Sequence, residues 1–306
     1  MRYLSLLSIV AIMGAIGCGS TPVDPPLDPA QEIQLAIEPF SVPPGTEVQT
    51  CHEMTLPSDV DVDIDRITWD FSLGSHHLHV YVSADGSTDA APSTYDCFTA
   101  VDFDKWHLLV ASQDEKLEWT LPEGTAFRVK ARQSILLQTH YLNTAALETE
   151  GAVAAGGVKL RVAEPDAVQR RAAAIFGQNR EVFVPPHGTA HVEAECGLPG
   201  AGEIIAMTGH YHTHGRKFQT MVMHQGTVPE LVYEAEGFAE PVWTTFDDGM
   251  RLEANDRFKW ACDYMNDLDQ PLAFGPREDV EEHCNLFAFY TLDDRDADFL
   301  PCVWEK

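Results

Sequence analysis

The residues of this chain best able to do chemistry are its histidines. Thirteen are present, and their placement is uneven. His76 and His77 are adjacent, with His79 two residues on; His140 lies in Gln138-Thr139-His140-Tyr141; His210, His212 and His214 alternate with Tyr211 and Thr213. Imidazole is a ligand for zinc, copper, iron and nickel, and among divalent ions an all-nitrogen site ranks copper above zinc. On a strand, residues i and i+2 project to one face. His212 and His214 are therefore expected to present two imidazoles to one ion, joined by His210 if the strand stays regular between Gly209 and Gly215. Taken singly, each group has a plainer reading: an adjacent pair as solvated surface, a lone strand histidine as a hydrogen-bonded core residue. Together, in an exported β-protein, they point to a metal. His52, His107, His187, His191 and His224 are isolated and read as ordinary. Other chemistries find little support, since there is no Gly-x-Ser-x-Gly elbow, no Gly-rich phosphate loop and no His-Glu-x-x-His. Acidic residues are plentiful, but no pair is singled out for glycoside hydrolysis.

The elements that must carry these residues read as strands. Val60, Val62 and Ile64 alternate with Asp59, Asp61, Asp63 and Asp65, which predicts a half-buried strand with a solvated acidic face. His77–Val82, Phe127–Lys130, Ile135–Tyr141, Val158–Val162, Ile204–Thr208, Lys217–Met223, Phe258–Tyr264 and Leu286–Leu292 predict further strands. Turn signals such as Pro43-Pro44-Gly45, Pro122-Glu123-Gly124 and Asp248-Gly249 separate them. Many short strands without intervening helical patterns predict an all-β fold of antiparallel sandwiches. Asp166 to Ala174 is the one helix-like stretch and reads as a connector, which puts a domain boundary near residue 165. No internal repeat is visible.

Composition narrows the setting. The chain has 306 residues and a formal charge of −28; residues 1–18 contribute one Arg and no acid, so their removal leaves −29. Such a surface repels phosphate backbones, which argues against a nucleic-acid partner. Arg2 and the apolar run Leu4–Ile16 resemble a signal peptide, and Ala15-Ile16-Gly17-Cys18 resembles a bacterial lipobox. We therefore expect a signal peptide over 1–18, acylation of Cys18 and a Pro-rich tether over 19–40. Gly19-Ser20 lacks an acidic residue at the second position, which favours the outer membrane of a bacterial cell envelope. Cys51, Cys97, Cys196, Cys262, Cys284 and Cys302 remain, an even set that predicts three disulfides in an exported chain. No Cys-x-x-Cys is present.

The ordered motifs resemble the copper type II, ascorbate-dependent monooxygenases, the peptidylglycine α-hydroxylating and dopamine β-hydroxylating family. The resemblance runs from Cys51 to Cys302. It rests on His76-His77, on the segment Leu121 to Val129, on Gln138-Thr139-His140-Tyr141, on His212-Thr213-His214 with Arg216 or Lys217 after it, and on Glu282-His283-Cys284-Asn285 before an aromatic strand. It implies disulfides Cys51–Cys97, Cys196–Cys302 and Cys262–Cys284. It implies two jelly-roll-like sandwiches in tandem, here 41–165 and 166–306, facing one another across a solvent-filled cleft. Each would hold one copper, an electron-donating ion on His76, His77 and His140 and an oxygen-reacting ion on His212 and His214. Ascorbate or another one-electron reductant would supply the electrons.

The chain departs from the family at the second ion. The family's methionine ligand precedes the cysteine matched by Cys284, and this chain has His283 there. We expect three-nitrogen coordination by His212, His214 and His283, a harder donor set that favours Cu(II) relative to Cu(I). Met250 and Met265 read as packing residues. The family's substrate-binding Arg and Tyr positions carry His210 and Phe287, while Asn285 is retained. His210 and Asn285 are thus candidate substrate contacts, and His210 is also a candidate extra ligand or proton donor. The missing Arg and the negative surface favour a neutral or cationic small molecule over an anionic peptide end. The expected function is a membrane-anchored monomeric monooxygenase of this type. A non-enzymatic copper-binding or copper-buffering lipoprotein is the main alternative, and a zinc hydrolase a third.

Overall fold

Period-two alternation makes nearly every element a strand. The structure is a computed structural model describing residues 32–97, 102–143, 152–237 and 243–304. Its first strands are β1 (Glu32–Ser41), β2 (Thr46–Thr55), β3 (Val62–Phe71), β4 (Ser75–Ser83) and β5 (Ser93–Asp96). Next come β6 (Trp106–Ser112), β7 (Glu118–Thr120), β8 (Thr125–Val129), β9 (Ser134–Asn143) and β10 (Val153–Val162). A 3-10 turn over Pro165–Ala167 leads to β11 (Arg170–Asn179), β12 (Phe183–Val184), β13 (Thr189–Cys196), β14 (Gly202–His210) and β15 (Gly215–Met223). The rest are β16 (Glu230–Ala235), β17 (Thr244–Leu252), β18 (Arg257–Met265), β19 (Leu272–Ala273), β20 (Asn285–Leu292) and β21 (Leu300–Trp304). The fold is all-β, as expected from the sequence.

A ten-stranded sheet runs through the molecule in the order β1-β10-β3-β8-β11-β20-β14-β17, with β7 beside β3 and β21 beside β11. A five-stranded sheet, β5-β2-β9-β4-β6, shares a core with its first part; a four-stranded sheet, β13-β18-β15-β16, shares a second core with its later part. The two parts are joined within the sheet, because β11 pairs parallel with β8 through Arg170↔Thr125 to Ala172↔Phe127. Strand β20 is buried throughout. Its Phe287 and Phe289 enter the first core, and Leu286, Ala288 and Tyr290 the second. A strand covered on both faces reads as a continuous apolar run rather than an alternating one.

Several sequence expectations are corrected here. Asp166 to Ala174 is not helical beyond its first turn. From Arg170 the chain is a central strand, and pairing on both sides overrides the helix propensity of Ala172, Ala173 and Ala174. Residues 32–40, expected in the tether, belong to β1, which pairs with β10. The signal peptide, Cys18 and the rest of the tether lie outside the described residues. The acidic face of β3 is not simply solvated, since Asp63 is buried and chelated by Arg128 (2.7 Å) and Arg171 (2.9 Å). Val60 lies before the strand and is exposed. The two halves are in contact, because side chains of β11, β14 and β20 complete the first core.

The disulfides are Cys51–Cys97, Cys196–Cys302 and Cys262–Cys284, the three pairs the resemblance implies. Such bonds persist in oxidising compartments, which places the folded chain outside the cytoplasm. No helix among the described residues is long and apolar enough to cross a membrane.

Candidate metal centre

The histidines converge from both parts of the chain. On β4, Ser75 pairs with Tyr141 and His77 with His140, so one step on β9 faces two on β4. That bulge falls at His76. A regular strand would send His76 and His77 to opposite faces, whereas a bulge re-aims a side chain. Their ring centroids lie 5.5 Å apart, and His140 lies 5.3 Å from His76 and 5.2 Å from His77. The rings of the first expected trio are thus neighbours, although only His76 and His140 of the three share a close group of ligand atoms, with Glu278. His79 stacks on His77 at 4.1 Å and contacts Tyr81, whose hydroxyl donates to Gln138. The side chain of Tyr141 donates to the Leu73 carbonyl and pins the approach to β4.

The second expected trio is only partly assembled. His212-Thr213-His214 forms a turn between β14 and β15, closed by Gly215 N–H donating to the His212 carbonyl at 3.0 Å. Strand parity does not hold in a turn, so His212 and His214 diverge. His214 directs Nε2 to the Asp279 carbonyl (3.1 Å) and Nδ1 towards Asp267 (3.4 Å). His212 faces inward, 4.3 Å from His283 and 5.5 Å from His210 between ring centroids. His210, expected as a substrate contact, packs 5.2 Å from His76, 5.8 Å from His77 and 5.4 Å from His283. The set that meets in space is thus His76, His77, His140, His210, His212 and His283. His214 is replaced by His210, and the two groups are contiguous rather than separated by solvent.

Carboxylates and carbonyls orient the rings. Glu282 is fully buried; its Oε2 accepts the His212 N–H at 2.9 Å and its Oε1 the His214 N–H at 2.7 Å. Those two bonds shape the turn. His212 Nδ1–H donates to the Glu281 carbonyl at 3.0 Å, which leaves Nε2 with its lone pair. His140 Nε2–H donates to Glu47 at 2.6 Å in the same way. A ligating histidine commonly gives its other N–H to such a partner. His283 is fixed by Tyr264, whose hydroxyl donates to its carbonyl, and by the neighbouring Cys262–Cys284 bond.

The donor set fits a transition-metal ion of the kind imidazole binds, copper and zinc among them. Burial, reinforced by neighbouring imidazoles, holds His76, His77, His210 and His283 well below the usual histidine value. Burial brings His212 down to about 4 and His79 to about 3. These rings are neutral near pH 7, the state that ligates. Nδ1 of His77, His210 and His283 has no hydrogen-bond partner among the described residues. A buried polar atom left so is costly, and a metal ion would use its lone pair. Ligand atoms of His76, His210 and His212 all lie within 4.8 Å of one another. Burial pushes Glu278 and Glu282 up to about 8.

A cavity of about 60 Å³ adjoins the cluster, lined by His77, His79, His210, His283, Asn285 and Phe287 among others. Both expected substrate contacts line it, and Asn285 Oδ1 is buried there with no hydrogen-bond partner among the described residues. Met265 is exposed rather than packed, while Met250 packs against the second core.

Sequence reasoning missed Glu47 and Glu278, two acids among 48 with no distinguishing spacing. It also gave no role to His79. Glu282 was visible within the Glu-x-Cys-Asn motif but without a role.

No protein-family model matches the chain, and no curated protein does. Among solved structures, a protein of Parabacteroides distasonis described as secreted is similar at 9% identity, over 84% of this chain and 88% of its own, with a TM-score of 0.24. A chain of infectious bursal disease virus is similar at 10% identity, over 85% and 78%, with a TM-score of 0.17. At these scores neither likeness assigns a family or an activity.

Proposed function

We propose that this chain is an exported copper protein of the ascorbate-dependent monooxygenase type, acting on a small neutral or cationic molecule. The observation that carries this reading is the buried cluster of His76, His77, His140, His210, His212 and His283, drawn from both parts of the fold. His76, His210 and His212 would hold one ion, with His77, His140 and His283 adjacent. Bound copper supplies one-electron redox chemistry and activation of dioxygen. The chain's own part is to hold the rings of His76, His77, His210, His212 and His283 neutral, to fix the cluster through Glu47, Glu281 and Glu282, and to keep bulk water out. His210 and Asn285 border the cavity and would meet the substrate or a proton passing to it. The formal charge of −28 favours cations over anions at the approach. A lipid on Cys18 would hold the protein at the cell envelope, and six disulfide-bonded cysteines agree with export.

The test is oxygen uptake by the copper-loaded full chain with ascorbate, coupled to a hydroxylated product. His212→Ala should abolish both. Full copper loading without oxygen uptake across a broad substrate panel would refute the enzyme.

A second reading is a copper-buffering envelope protein. It is favoured by the small cavity, about 60 Å³, and by His283 in place of a thioether ligand. His283→Met separates the two. Oxygenase activity gained by that variant and absent from the parent would support buffering.

A further inference from the structure

Glu278, in the segment between β19 and β20, is 4% exposed, and its Oε2 is buried with no hydrogen-bond donor among the described residues. A carboxylate removed from water without a partner is among the most costly groups a core can hold. The surroundings are built around it rather than accidental. Its N–H donates to Glu47 Oε1 at 3.2 Å, and the same oxygen accepts His140 Nε2–H. Its Oε2 lies 3.8 Å from His76 Nε2, too far for a hydrogen bond. Two ligand atoms each about 2.0–2.2 Å from one ion reach such a separation at a wide angle. One ligand atom each from His76, His140 and Glu278 lies within 4.8 Å of the other two.

Two groups of donors thus share His76. One is His76, His210 and His212, all imidazole; the other is His76, His140 and Glu278, which adds a carboxyl oxygen. Carboxylate oxygen suits the harder, more highly charged ion, and neutral imidazoles discriminate less. We propose that Glu278 is a metal ligand selective for oxidation state: with His76 and His140 it holds Cu(II), whereas Cu(I) is held by His76, His210 and His212. The assignment rests on the copper reading above and adds a ligand from the later part of the chain to two from the earlier part.

The test is competition with chromophoric chelators on the full chain, for Cu(I) under anaerobic reduction and for Cu(II) separately, in wild type and Glu278→Gln. The variant should bind Cu(II) about 10- to 100-fold more weakly and Cu(I) within about threefold of wild type. For a one-electron couple at about 59 mV per tenfold, its copper potential should rise by about 60–120 mV. Equal loss for both states, or no loss for Cu(II), overturns the proposal while leaving the copper reading intact. Wild type that binds copper in neither state overturns both. If Glu278→Gln does not fold, pulsed EPR of the Cu(II)-loaded wild type decides: two coupled imidazole nitrogens support the assignment and three overturn it.

Discussion

Glu282→Gln tests whether a buried carboxylate shapes the proposed copper ligands. Both Glu282 oxygens are engaged, by the N–H groups of His212 (2.9 Å) and His214 (2.7 Å). Glutamine has nearly the same volume but offers one acceptor and one NH2 group. Whichever way the amide turns, one buried N–H of the turn faces a donor and loses its partner. An unsatisfied buried donor costs about 1–3 kcal/mol, and the bonds lost were to a group able to carry charge. We expect the metal-free variant to be about 2–3 kcal/mol less stable in urea denaturation at pH 9, where Glu282, held up to about 8 by burial, is ionised. The turn also sets the inward direction of His212, so copper affinity should fall about 10- to 100-fold, as when other orienting partners are removed. Glu281→Gln is the control: its contribution to His212 is a backbone carbonyl, which the substitution retains. Wild-type stability together with wild-type copper affinity in Glu282→Gln would refute the reasoning. So would an equal effect of Glu281→Gln.

Further expectations follow from the same geometry. His210→Ala should lose most copper binding in chelator competition, whereas His214→Ala, whose ring turns to the Asp279 carbonyl, should stay within about threefold. Asp63 is held at about 2: burial would raise it, but the guanidinium groups of Arg128 and Arg171 prevail. The unfolded chain therefore takes up this proton first as pH falls, so the stabilisation is full above about pH 4 and is lost towards pH 2. Asp63→Asn should cost about 2 kcal/mol at pH 7 and flatten that acid limb of the denaturation profile. For His79, held down to about 3 by burial, the unfolded state protonates near the ordinary value while the native state does not. Its contribution to stability is complete above pH 7 and falls by about 2 kcal/mol between pH 7.5 and pH 5. His79→Gln should remove that much of the pH dependence of the metal-free protein's urea midpoint, and an unchanged slope would count against a neutral buried ring.

Strand positions were legible because alternation reports burial directly. The runs His77–Val82, Ile135–Tyr141 and Leu286–Leu292 all fall within observed strands. The joining of the two halves was not legible, since no local pattern tells β11 that it will lie beside β8. The alanines of β11 favoured a helix locally and were overruled by neighbours far away in sequence. The candidate metal ligands were legible as residue types but not as a geometry. His76-His77 needs a bulge to face one way, and His212-Thr213-His214 loses its shared face by entering a turn. In both cases strand parity, the only geometric rule available from spacing, gives the wrong answer. Glu47 and Glu278 were invisible because a chain with 48 acids cannot single out two by composition.

The shared sheet bears on how the site can work. If the halves were independent bodies across a solvent gap, ions on His140 and on His212 would be uncoupled, and loading one would leave the other unchanged. Here His76 touches His140 and His77 on its own side and His210 and His212 on the other. Beneath that contact, β8 pairs with β11, and Asp63 of β3 joins Arg128 of β8 to Arg171 of β11. Opening a gap between the halves would break that pairing and expose Phe287 and Phe289 to water, at about 25 cal/mol for each Å² of apolar surface uncovered. Separation is therefore opposed by the core itself, and copper bound by ligands from both halves would oppose it further. Ligand binding that favours the native state raises its stability in proportion to the logarithm of free ligand concentration. Copper should accordingly stabilise both halves together, raising one common unfolding transition rather than splitting it, a result that differential scanning calorimetry with and without the ion reads directly.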